Sequence, residues 1–117
     1  TAASLVSENR GLCWPASSDS IPTSAGQEDH VSMGANSGRR AAQILQNTEG
    51  VIAIEALAAA QGLDLRAPLE PAQMTAAARD LVRKFSPRLD DDRPLSPDIE
   101  AVTELVRDGS LAEVAGL

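Results

Sequence analysis

Val51–Ala60 reads VIAIEALAAA, and only Glu55 interrupts its apolar character. A helix that is apolar all round is buried all round. Working outward, nothing from about Asp29 to Gln61 stops a helix firmly: Gly34, Gly38 and Gly50 weaken it without breaking it. Gly62 is a good terminating residue. Such a helix, about thirty-two residues, is about 48 Å long. A compact domain of this size has a radius of gyration of about 13 Å. The helix therefore outruns any globule these residues could form alone, and the chain holds too little other apolar surface to surround it. Its covering is expected from upstream sequence, from other subunits, or from both. Glu55 needs a partner, because an unpaired buried charge is costly. Arg39 or Arg40 of another helix could supply it.

On the N-terminal side, Ala2, Leu5, Val6 and Leu12 share a helical face, which reads as the tail of a helix. Gly11, Pro15, the run Ser17-Ser18-Asp19-Ser20 and Pro22 then break regular structure. Thr23 or Ser24 can cap the long helix, with Gln27 three residues after Ser24 as a capping-box partner. On the C-terminal side, Pro71 suits a helix first turn, Met74, Ala78, Leu81, Val82 and Phe85 form an apolar stripe, and Pro87 closes it. Asp90 to Pro94 reads as a loop. Ser96-Pro97-Asp98 opens another helix as cap, first-turn proline and dipole-complementing acid. Ile99, Val102, Leu105 and Val106 line that helix, and Gly109 ends it. No stretch alternates with period two and no internal repeat is visible. The expected class is all-α.

The chain has 117 residues and a net charge of −7, with no Lys/Arg stripe to offset the repulsion of nucleic acid. No apolar stretch is long enough to span a membrane. Cys13 is the single cysteine, so an intramolecular disulfide is impossible and a reducing, cytoplasmic compartment is expected. The chain begins TAASL without a secretion signal and reads as cut from something longer. Trp14 and Phe85 are the only aromatics, poor material for an independent core.

Chemistry-bearing residues concentrate in Ser20–Gly34, SIPTSAGQEDHVSMG. The bland account is that Glu28 and Asp29 complement the dipole at a helix start and that His30 is a packing residue. A lone histidine is a poor metal site, and Asp90-Asp91-Asp92 lacks the spacing, glycine and glutamate of a calcium loop. Neither a GxSxG elbow, nor a Cys–His pair at recognisable spacing, nor a phosphate-cradling loop is present.

The wording of three segments goes further. TAASLVSENR, PASSDSIPTSAGQEDHVSMG and NTEGVIAIEALAAAQGLDLR resemble the C-terminal part of the aromatic amino-acid ammonia-lyase family, in its histidine-acting branch. The resemblance runs from Thr1 to the helix near Ile99. It implies non-hydrolytic removal of ammonia from L-histidine to give trans-urocanate. It implies a methylidene-imidazolone electrophile made from an internal Ala-Ser-Gly, and homotetramers with long helices bundled at the centre. Active sites in such tetramers are built from several subunits. On this reading residues 1–12 end a helix, 13–28 form an active-site loop, 29–62 the long core helix, and 63–117 peripheral helices.

Glu28 matches the family's active-site glutamate. A carboxylate can accept from the imidazole or the ammonium of the substrate and can assist proton transfer. Phenylalanine-acting relatives resemble this region but carry an amide there, so Glu28 favours histidine. Gln27 and His30 match the motif as substrate-binding or supporting residues, and Asp29 as an anchor of the corner. Gly26 stands where the family usually has Asn or another residue, and is expected to loosen the turn. The chain contains neither Ala-Ser-Gly nor Tyr. It therefore cannot make the electrophile, and alone it is expected to be inactive, its partners being the upstream part of the polypeptide and other subunits. Two other readings stand beside this one: a non-catalytic helical oligomerisation or partner-binding fragment, and a tyrosine ammonia-lyase or aminomutase of the same family.

Overall fold

A computed structural model describes residues 1–18, 20–27 and 30–116. Among these, the architecture is helical throughout: α1 (Ala2–Leu12), α2 (Gly34–Leu65), α3 (Gln73–Phe85), α4 (Ser96–Arg107) and α5 (Ser110–Ala115), with a 3-10 turn at Ser24–Gly26. The all-α expectation holds. The chain divides into two units, one of Thr1 and Ala3–Thr48, the other of Ala2 and Glu49–Leu117.

Helix α2 has 32 residues, but its ends are displaced from those expected. It starts at Gly34, not near Asp29. Residues 30–33 are non-helical, and Ser32 does the capping, its Oγ accepting the Gly34 N–H at 3.3 Å. Thr23 is the N-cap of the separate 3-10 turn and Ser24 its first residue. At the other end the helix runs through Gly62 to Leu65. A glycine without a left-handed conformation is only a weak stop, and residues on both sides of it are anchored. Asp64 Oδ2 accepts from Arg83 Nε at 2.7 Å, and Gln61 exchanges two hydrogen bonds with the backbone of Leu89, at 2.9 and 3.0 Å.

The unit from Glu49 onward has a small core. Ala53, Ala60, Val82 and Val102 are buried, with Ala56, Leu57, Val106 and Leu111 packed against them. Helices α3, α4 and α5 contact one another pairwise. Arg83 ties the end of α3 down through Asp64, Gln61 and the Ser86 carbonyl. Arg107 reaches Glu49 Oε2 at 2.9 Å. Pro71 stands ahead of α3, whose cap is Ala72, so the proline sets the approach to the helix and not its first turn. Ser96 is the first residue of α4, not its cap. Asp98 is buried and paired with Arg93 at 2.7 Å, so it does more than complement the dipole. Gly109 ends α4 in a left-handed conformation as expected. Helix α5 was not expected. Its six residues are too few to show a periodic stripe.

Of Val51–Ala60, only Ala53 and Ala60 are buried. Ile52 is 41% exposed and Leu45, nearer the start of α2, 60% exposed. The chain does not itself cover this helix. Glu55, expected to be buried and paired with Arg39 or Arg40, is exposed, and Arg40 has another task described below. Among the described residues no helix is long and apolar enough to cross a membrane.

Candidate active-site loop

The segment singled out by sequence lies in the unit of residues up to Thr48, between α1 and α2. Polar side chains hold the two helices together. Asn47 on α2 is 6% exposed. Its Nδ2 donates to Glu8 Oε2 at 3.0 Å and to Asn9 Oδ1 at 2.9 Å, and its Oδ1 accepts from Gln43 at 3.1 Å. Both amide protons and the carbonyl are thus used, which removes the penalty of burying them.

From the end of α1 the chain turns away. Arg40 Nη1 donates to the Trp14 carbonyl at 2.6 Å, which fastens the root of the loop to α2. Ser18 Oγ donates to the Pro15 carbonyl at 2.9 Å. Further on, one hydroxyl serves both backbone groups of a single residue. Ser20 Oγ accepts the Val31 N–H at 2.9 Å and donates to the Val31 carbonyl at 3.3 Å. Ser20 and Val31 therefore meet and close the chain between them at its base.

Inside the loop, Ser24, Ala25 and Gly26 have φ of 53°, 56° and 83°. Only glycine adopts this region without a steric cost, and asparagine tolerates it better than most. Gly26 therefore fits the left-handed backbone of the turn. The Gly26 N–H donates to the Thr23 carbonyl at 3.0 Å, and the Gln27 N–H to the Ser24 carbonyl at 3.1 Å. Gln27 thus leaves the turn with a fixed backbone direction. Gln27 and His30 are both exposed. Glu28 and Asp29 lie outside the described residues. Beside the loop is a depression of about 220 Å³, lined by Trp14, Ile21, Met33, Asn36 and Arg40 among others.

Among the described residues no group of three or more His, Cys, Asp or Glu side chains could hold a metal ion. The chain lacks the tripeptide from which a methylidene-imidazolone forms, so its own residues do not provide that group. What the described residues offer is a backbone closed between Ser20 and Val31, with Gln27 and His30 exposed. The sequence reading missed Ser20, Arg40 and Asn47. Each acts on a partner 11 to 39 residues away, and short-range spacing carries no signal for such pairs.

A chain with this helical fold and this loop belongs to the aromatic amino acid lyase family, whose model matches residues 1–84. Among its relatives, the histidine ammonia-lyase of Anaeromyxobacter sp. (strain K) is 57% identical over 111 residues, 95% of this chain and 22% of that protein. The crystal structure of histidine ammonia-lyase from Trypanosoma cruzi superposes with a TM-score of 0.91 at 48% identity, covering 97% of this chain and 23% of that one. The tyrosine aminomutase of Streptomyces globisporus superposes with a TM-score of 0.89 at 35% identity, covering 97% and 22%. The chain thus spans about a fifth of the length of these relatives.

Proposed function

We propose that this chain is the C-terminal portion of a histidine ammonia-lyase, a cytoplasmic homotetramer that eliminates ammonia from L-histidine to give trans-urocanate. The observation that carries the reading is the QEDH sequence at Gln27–His30, on a loop closed at its base, in a chain 57% identical to a histidine ammonia-lyase. In the overall reaction the Cα–N bond breaks, a proton leaves Cβ, and a Cα=Cβ double bond forms. The electrophile is methylidene-imidazolone, built from an Ala-Ser-Gly elsewhere in the parent polypeptide.

Glu28 is the residue of this chain assigned to the substrate. Its carboxylate accepts an N–H of the imidazole or the ammonium, a charge-assisted bond of the stronger kind, and shares in proton transfer. Gln27 and His30 support it, and residues 13–28 serve as the active-site loop. The 117 residues alone are inactive. The test supplies the upstream part in trans and follows urocanate. Restored turnover that Glu28→Gln lowers at least tenfold supports the assignment, and turnover at full rate in that variant overturns it. Similarity to a tyrosine aminomutase favours a second reading within the family. Assaying L-tyrosine beside L-histidine separates the two.

A further inference from the structure

We propose that Ser20 is a positioning residue of this site: by clasping Val31 it fixes the backbone directly after His30. The inference rests on the function proposed above. Its basis is the pair of bonds at 2.9 and 3.3 Å between one hydroxyl and both backbone groups of Val31, eleven positions along the chain. A hydroxyl carries one proton and two lone pairs, so a single side chain can accept and donate at once. No apolar residue reproduces this, and alanine leaves two half-buried backbone groups without that partner.

The placement of the clasp gives it consequence. Val31 directly follows His30, so the fixed point lies next to the segment assigned to the substrate. On the other side the chain passes through three consecutive left-handed residues, a conformation that persists only where its surroundings over-determine it. The root is already fastened by Arg40 on the Trp14 carbonyl. The described residues are thus fastened at the root by Arg40, turned at Ser24–Gly26 and clasped at Val31. Ser20 itself precedes the motif by seven residues, and it acts through Val31 and not on the substrate.

The experiment uses the full-length enzyme that contains this chain, with Ser20→Ala and Ser20→Thr. Three quantities are read: kcat and KM for L-histidine, the melting temperature, and hydrogen exchange at the Val31 amide without substrate. Misplacing a catalytic group by about 1 Å costs about a hundredfold in rate. The expected result for Ser20→Ala is accordingly a loss of tenfold or more in kcat/KM with the melting temperature held within a few degrees. Val31 exchange becomes faster, and both effects are reversed in Ser20→Thr, which keeps the hydroxyl. Unchanged Val31 exchange in Ser20→Ala overturns the proposal, because the clasp is then not made. Faster exchange with undiminished kcat/KM also overturns it, because the clasp then positions nothing. If the alanine variant fails to fold, Ser20→Cys, similar in shape with a weaker donor and acceptor, is judged by the same readings. A wild-type enzyme that leaves histidine untouched overturns the function on which this rests, and the substrate-free exchange measurement tells that failure apart from failure of the clasp.

Discussion

Gly26 shows how one residue couples backbone to site. At a φ of 83° a β-branched side chain is strained, although nothing lies within 4 Å of an added Cβ. Gly26→Val is expected to cost about 1–2 kcal/mol and to reduce turnover of the full enzyme. Gly26→Asn is expected to be close to neutral, and a parallel kcat/KM measurement on the two checks this. Asn47 makes the opposite case, a buried amide with every hydrogen-bonding group engaged. Asn47→Leu removes the partner of Glu8 and Asn9 together and is expected to lower stability by about 1–3 kcal/mol, read as a drop in melting temperature. The resemblance drew attention to Gln27, Glu28 and His30 because the motif is contiguous. Ser20 and Asn47 escaped because their significance lies in contacts 11 and 38 or 39 residues away, which short-range spacing does not reveal.

At the scale of the element, the helices were legible and their ends were not. Apolar spacing along Val51–Ala60 pointed to α2, but nothing in that spacing distinguishes a start at Asp29 from one at Gly34. The decision falls to Ser32, whose hydroxyl meets the Gly34 N–H. Gly62 was read as a stop, but the Arg83–Asp64 bond rewards continuation to Leu65. Arg83 uses three faces of its guanidinium fork at once, a geometry that lysine cannot match. Arg83→Lys is therefore expected to destabilise by about 1–3 kcal/mol, checked by chemical denaturation. Helix α5 depends on a smaller device. The Asp108 carboxyl is held below its usual range by the Ser110 hydroxyl and then by the Ser110 N–H, the latter at 2.8 Å. A carboxyl with a depressed folded-state pKa contributes stability that is complete above its unfolded value, 3.8, and is lost as pH falls through the folded one. Amide protection at the start of α5 is expected to weaken as pH falls through the folded-state value, and to be lower than in the unaltered chain at neutral pH in Asp108→Ala.

At the scale of the molecule, the expectation that α2 must be covered from outside follows from how little the chain supplies. Two alanines and two valines make the buried apolar cluster, whereas Leu45, Ile52, Leu65 and Phe85 stay exposed. These exposed apolar side chains leave surface that another polypeptide can cover. The isolated chain is expected to bind an apolar dye strongly and to lose that binding when the upstream polypeptide is added. The sequence could not say which residues would do the covering, because periodicity describes a helix face and not its neighbour.

One detail at the loop root has a spectroscopic consequence. The chain holds a single tryptophan and no tyrosine, and that tryptophan is Trp14, 71% exposed and tied through its carbonyl to Arg40. Ultraviolet emission from these 117 residues is therefore the signal of one indole, placed where the loop leaves α1. In the free chain it should emit at the long wavelength of a solvated ring. Covering of the loop root by another polypeptide should move it to the blue, and the neighbouring thiol of Cys13, exposed and unique, can carry a quencher a single residue away. Assembly of the proposed site thus has an optical readout already present in the sequence, which needs neither turnover nor substrate.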